Sequence, residues 1–310
     1  MKHTILITND DGIDAPGIDA IIRGLNDAGY PIIVCAPDRE RSASTMHLTL
    51  HKSLKLRRRN DLEKIYSSVG SNAELYIFDV SGYPADCVMV ALEGGLPSGI
   101  PKPSLCVSGI NRGPNMSVDI LHSGTIGAAR QAGTCGLPAI STSLASFDVE
   151  RTEDFAVAVE PTLELVRRVC KIIPIEAKNI GRPEGTKIKS SGVNNENLLR
   201  NSIINGDIFL NLNVPINWGG EYSSTHLGGR WYRDAMNAFQ VNENEWTIKL
   251  GSLYIVDEEI KNGDSHRVKM GEASVSTLGT WPQGHPLSIS DEVLQSTINE
   301  LGIPSWLVID

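Results

Sequence analysis

Two aspartates stand side by side at positions 10 and 11, between Asn9 and Gly12. Adjacent carboxylates repel each other unless something compensates their charge. A hard divalent cation does so, because Mg²⁺, Mn²⁺ and Ca²⁺ favour carboxylate, hydroxyl, amide and water oxygens. Two more polar clusters, Asp38-Arg39-Glu40-Arg41-Ser42 and Asn111-Arg112-Gly113-Pro114-Asn115, supply neutral donors: the hydroxyl of Ser42 and the amide oxygen of Asn111. With Asp10 and Asp11 these make a sparse shell that leaves positions for water or a phosphate. Asp-Asp-Gly is also ordinary turn chemistry. Its place directly after a buried first strand is what favours a site.

Ser123, Gly124 and Thr125 open a run of small residues at helical spacing. Backbone N–H groups at a helix start, two hydroxyls and a permissive glycine suit a phosphate, although a plain Ser/Thr N-cap carries the same signature. Arg39, Arg41 and Arg112 are cations near the same loops. His122 is an acid–base candidate without a defined partner, and one such histidine carries little information.

The elements that must position these residues follow from apolar patterning. Residues 4–8 and 31–36 read as strands buried on both faces, as in parallel sheets. Between them Ile18, Ile21, Ile22 and Leu25 recur at helical spacing, which makes a βαβ unit. The alternation continues with a helix over 86–93, a strand over 104–108, a helix over 125–135 and a strand over 139–144. A helix over 153–171 is expected next, with Thr152 as N-cap and a kink or break at Pro161. The pattern predicts a doubly wound, mostly parallel α/β sheet. In such a sheet the polar clusters at strand carboxyl ends converge on one crevice.

After about residue 180 glycine, asparagine and serine become frequent. We read 1–180 as the core, and 181–310 as one further core strand (207–214), a C-terminal arm and a terminal helix. The aromatic stretch 216–285 reads as β-hairpins or an extended arm. The helix is placed at 291–301, with a weak capping box from Ser288 to Asp291.

Composition excludes several classes. Of 310 residues 41% are apolar and 21% charged, with a net charge of −9. An acidic chain of this kind does not suit coating nucleic acid or a membrane surface, though a metal and a few local cations still hold a small phosphorylated substrate. Five scattered cysteines, none in C-x-x-C, read as reduced core residues of a cytoplasmic protein. No G-x-G-x-x-G follows the first strand, which argues against a nicotinamide enzyme. Neither a P-loop nor G-x-S-x-G is present.

With these clusters named, the chain resembles the SurE family of 5′/3′-nucleotidases. The matching stretches are ILITNDDGIDAPGI at 5–18, APDRERSASTMHLTL at 36–50, GYPADCV at 82–88, VSGINRGPN at 107–115, HSGTIGAARQAGTCGLPAIS at 122–141 and FLNLNVP at 209–215. The resemblance implies a Rossmann-like domain and one divalent ion per subunit, Mg²⁺ or Mn²⁺, on Asp10, Asp11, Ser42 and Asn111. It implies hydrolysis of nucleoside 5′- and 3′-monophosphates, with side activity on short polyphosphate in some members. It also implies homodimers or homotetramers that exchange C-terminal segments. Tyr83 departs from the family's usual Gly-Thr-Pro, and His122 from its usual aromatic before Ser-Gly-Thr.

The expected mechanism is in-line attack by metal-activated water. Asp10 or Asp11 would orient that water, while Asn9, Asn115 and Ser123–Thr125 hold the phosphoryl oxygens. The rival from another class is a non-catalytic nucleotide or metal sensor on the same fold, recognised by binding without phosphate release.

Overall fold

The computed structural model describes residues 2–68, 71, 73–186, 193–251, 254–299 and 302–309. The elements run β1 (Ile5–Thr8), α1 (Pro16–Asp27), β2 (Ile32–Pro37), β3 (Leu56–Arg58), α2 (Asn60–Ser67), β4 (Leu75–Val80), α3 (Pro84–Leu92), β5 (Leu105–Arg112), α4 (Gly124–Thr134), β6 (Ala139–Leu144) and α5 (Ala156–Ile172). They continue as α6 (Asn195–Ile204), β7 (Ile208–Val214), β8 (Tyr222–Thr225), β9 (Arg230–Arg233), β10 (Met236–Asn242), β11 (Glu245–Leu250), β12 (Tyr254–Asp257), α7 (Asp264–Lys269), β13 (Ala273–Gly279) and α8 (Asp291–Gln295).

Nine strands form one sheet in the order β3-β4-β2-β1-β5-β6-β7-β13-β8. The six from β4 to β7 are parallel; β3 and β13 pair antiparallel with their neighbours, and β8 runs parallel to β13. The alternation of β1 explains the layers. Ile5 and Ile7 enter an apolar cluster with residues of α1 and α5, and Leu6 enters a second with residues of α3 and α4. Both clusters are closed to water, so the strand is apolar throughout and stops where the chain must turn polar.

From β1 the chain moves outward through β2 to β4, then returns to the other side of β1 as β5. The sheet's topological switch point is therefore between β1 and β5. Ligands of open α/β sheets bind beyond strand carboxyl ends at such a point, and here those ends are Thr8 and Arg112.

Several expectations need correcting. Thr152 does not cap α5: it lies in a 3₁₀ turn, Thr152–Phe155, and its hydroxyl donates to Asp19 at 2.6 Å. Pro161 sits inside α5 without splitting it. One backbone bond is lost there, while Leu165, Val166 and Val169 remain fully buried. The terminal helix α8 is shorter than expected and is capped by Ser290, whose hydroxyl accepts from the Val293 amide. Its expected end at Leu301 lies outside the described residues. Of the stretch 216–285, β8 and β13 join the central sheet. The arm itself is two antiparallel pairs, β9 with β12 and β10 with β11.

Candidate active site

Asp10 is 3% exposed, at the mouth of the switch point. Its carboxylate is met by the first residues of α4: the Gly124 N–H donates to Oδ2 at 2.9 Å, and the Thr125 hydroxyl to Oδ1 at 2.5 Å. Thr125 Oγ1 also lies 3.2 Å from Asn111 Oδ1. The Asn111 amide nitrogen is turned away, donating to the Gly113 carbonyl at 2.8 Å. Asp10, Asn111 and Thr125 thus gather three oxygens around one point.

Asp11 is held differently. Its Oδ2 accepts the Arg112 backbone N–H at 3.1 Å. Burial, and then the charge of Asp10, push its carboxyl up to about 7. Burial raises Asp10 as well, against the lowering effect of its hydrogen bonds. The magnitudes decide what the pair needs. A hydrogen bond to a charged group contributes about 1.5–3 kcal/mol, whereas burying a carboxylate costs several kcal/mol. Two like charges about 4 Å apart repel by about 4 kcal/mol at an effective dielectric near 20. Asp10 has two donors and Asp11 one, and in neither do they offset the burial. A divalent cation fits this donor set, which is oxygen throughout. Among the described residues no group of three or more His, Cys, Asp or Glu gathers for a metal, here or elsewhere, so the donor set rests on two carboxylates and neutral oxygens.

Two glycines are dictated by the geometry. Gly12 takes φ of +103°, so the chain reverses immediately after the aspartates. A Cβ on Gly124 would stand 2.4 Å from Ser44 Oγ and 2.9 Å from Asp10 Oδ2, so only glycine brings this helix start so close.

The other expected residues are placed as follows. Asn9 is fully buried and spends both ends of its amide on Gly12, donating to the carbonyl at 2.8 Å and accepting the N–H at 3.2 Å. It braces the aspartate loop, with one amide hydrogen remaining. Asn115 is held by β7: its N–H donates to Asn213 Oδ1, and its carbonyl accepts from the Asn211 and Asn213 amides. Its own amide donates to Ser143 Oγ. Ser123 caps α4, accepting the Ile126 N–H. Ser42 is exposed, and its hydroxyl donates to Glu40 at 2.9 Å. The buried hydroxyl beside Asp10 and Gly124 is that of Ser44, which has no hydrogen-bond partner among the described residues. Sequence reading missed Ser44; its only signal is its place in the same loop.

Arg41 is committed to structure, with its N–H on the Asp10 carbonyl at 2.6 Å and its guanidinium on the Gly82 carbonyl and over the Tyr83 ring. Tyr83 therefore packs against the serine loop. Arg39, Arg112 and His122 are exposed. Beside Asp11 opens a cavity of about 380 Å³, floored by Ile13, Val149 and Phe155 and rimmed by Arg39, Glu40 and Arg112.

Residues 5–234 match the family described as Survival protein SurE. The chain is 40% identical over 164 residues to 5'-nucleotidase SurE of Desulfitobacterium hafniense (strain DSM 10664 / DCB-2), a match spanning 52% of this chain and 60% of that protein. It is 41% identical over 165 residues to 5'-nucleotidase SurE of Synechococcus elongatus, spanning 53% and 58%. The matched part is thus less than two thirds of these relatives' length. The crystal structure of the SurE protein from Aquifex aeolicus superposes with a TM-score of 0.63 at 26% identity, covering 94% of this chain and 99% of that one. With the family model matching residues 5–234, most of its length, the chain belongs to the SurE family.

Proposed function

We propose that this protein is a divalent-metal-dependent phosphomonoesterase that hydrolyses nucleoside 5′- and 3′-monophosphates to nucleoside and phosphate. The observation that carries the reading is the under-compensated pair Asp10 and Asp11 at the switch point, with Asn111 Oδ1 turned toward it. Two relatives named 5'-nucleotidase SurE support the substrate class.

One Mg²⁺ or Mn²⁺ per subunit would be held by Asp10, Asp11, Asn111 and a serine of the 39–47 loop, Ser42 in the family pattern. When bound, the cation supplies positive charge that polarises a phosphoryl oxygen and lowers the pKa of water. The protein does the rest. Gly124 and Thr125 fix the direction of Asp10. Asp11 keeps Oδ1 free to orient the attacking water and take its proton. The remaining amide hydrogen of Asn115 and the exposed Arg112 meet the phosphoryl oxygens, where charge builds in the transition state. The cavity beside Asp11 is at the lower end of the size range for small-ligand sites, and its apolar floor suits a nucleoside leaving group.

The arm favours self-association. Met236, Trp246, Ile248 and Leu250 are all more than half exposed and share one face of a two-stranded pair outside the main sheet. Such a pair is marginal alone, and a contiguous apolar face of this kind marks an interface. A homodimer or homotetramer joined through the arm is the assembly we propose. Among the described residues no helix is long and apolar enough to cross a membrane.

The test is phosphate release from 5′- and 3′-nucleoside monophosphates with EDTA, and then with Mg²⁺ or Mn²⁺ restored. Metal-dependent release supports the reading. Nucleotide binding without release, from folded protein, favours the sensor.

A further inference from the structure

The segment between the two polar ends of the site is held from an unexpected direction. Asn115 lies at its start and Ser123 at its end, with a 3₁₀ turn, Ser117–Leu121, between them. Asp119 is in the middle and nearly buried. Its main-chain carbonyl accepts the N–H groups of His122 and Ser123, both at 3.0 Å, which sets the entry into α4. Its side chain faces the arm. Tyr232 donates its hydroxyl to Oδ1 at 2.5 Å, and Arg230 Nη1 reaches Oδ2 at 3.3 Å. The Met116 N–H adds a bond at 3.1 Å.

Arg230 is fixed in turn. It is 6% exposed, and its guanidinium forks onto both Asp257 oxygens at 2.7 and 2.9 Å. The same root grips the neighbouring residue. Ser117 Oγ donates to the Gly228 carbonyl at 2.7 Å and accepts the Arg230 N–H at 3.1 Å, while Asp264 takes the N–H groups of both Ser117 and Gly228. Three side chains at the arm root, those of Arg230, Tyr232 and Asp264, thus converge on two residues of one short turn. None of these contacts is needed to close the central sheet.

We propose that Arg230 and Tyr232 are positioning residues for the active site: by holding Asp119 they set the turn that presents the start of α4 to Asp10. The inference rests on the reading of Asp10 as the centre of a phosphatase site. Arg230 and Tyr232 touch no reacting atom; they act through the Asp119 side chain, its carbonyl and the Ser123 N–H. Misplacement of reacting groups by about 1 Å costs on the order of 100-fold in rate, so a partial loosening has a measurable effect. The arm that presents an apolar face to a second copy is, at its root, part of the support of the site.

The test compares wild type, Tyr232→Phe and Asp119→Asn as full chains. Hydrogen exchange of the peptide spanning 116–126 is measured without substrate, and kcat and KM for AMP are measured with Mn²⁺. Tyr232→Phe removes one hydroxyl with little change in volume, so it folds even if Asp119→Asn does not. The expected result for Tyr232→Phe is faster exchange confined to 116–126, a fall in kcat of about tenfold, and a KM within about twofold of wild type. Wild-type exchange and kcat in both variants overturn the link. A loss of kcat accompanied by faster exchange throughout the chain also overturns it, since the role is then merely structural. A wild-type protein that releases no phosphate with any metal overturns the phosphatase reading and the catalytic half of this proposal, and the exchange data then decide the mechanical half.

Discussion

Thr125 Oγ1 stands 2.5 Å from Asp10 Oδ1, across 115 positions of sequence, and the neighbouring Gly124 N–H reaches the other oxygen of the same carboxylate. The start of α4 therefore serves the acidic group. A helix N-terminus favours a nearby anion by about 0.3–1 kcal/mol, and here the anion is built into the protein. The Ser123–Thr125 motif, read from sequence as a phosphate cradle, first holds the residue that would hold the metal.

Replacing Asp10 by Asn removes the charge while keeping the shape. We expect Asp10→Asn to lose at least about 100-fold in kcat/KM, the scale seen when a single charge-stabilising group is removed from an active site. Metal-free Asp10→Asn should melt no lower than wild type, because the carboxylate is costly to bury. Mn²⁺ should raise the melting temperature of wild type and not of the variant. Calorimetry with and without EDTA checks both.

Metal-free stability should depend on pH through Asp11. Its carboxyl is raised from 3.8 to about 7 in the folded protein. The folded state then binds more protons than the unfolded state across that window, so stability falls as pH rises from 3.8 to about 7. Below the window this contribution is fully present; above it, it is lost. Saturating Mn²⁺ keeps Asp11 ionised and should flatten its part of the profile. Melting temperatures in EDTA that rise steadily from pH 5 to 7 would count against this.

Gly124→Ala places a methyl group 2.4 Å from Ser44 Oγ and 2.9 Å from Asp10 Oδ2. The helix start must retreat or Asp10 must turn. We expect a loss of roughly 100-fold in kcat, with a secondary-structure spectrum like wild type. Steady-state kinetics beside circular dichroism separates this from misfolding.

Changes at the arm tip should act on assembly. Trp246 and Ile248 are 53% and 57% exposed on one face of the β10–β11 pair. Trp246→Ser with Ile248→Ser should shift the protein toward monomer in light scattering at fixed concentration. An unchanged mass would place the interface elsewhere.

Much of this was legible from sequence, for physical reasons. The buried strands β1, β2, β6 and β7 announce themselves as unbroken or alternating apolar runs. The aspartate pair announces itself because two adjacent charges need a reason. The elements β3, α2 and β4 went unread. Asp79 interrupts the apolar run of β4, and its pairing with Arg57 at 2.9 Å is a tertiary fact that periodicity cannot carry. Asn211 and Asn213 look like the polar face of a half-exposed strand. They are fully buried because Asn115 gives them partners. The choice between Ser42 and Ser44 depends on backbone conformation: Ala43 and Thr45 both take positive φ, and that sends one hydroxyl outward and the other inward. The Asp119–Arg230 link joins residues 111 apart and has no local signature.

The most direct test of the central claim is phosphate release from AMP by wild type and Asp11→Asn, each with EDTA and then with excess Mn²⁺. The account predicts release by wild type only when Mn²⁺ is present, and a loss of at least about 100-fold in Asp11→Asn at the same Mn²⁺. Release that persists in EDTA, or an Asp11→Asn variant with wild-type turnover, would contradict it.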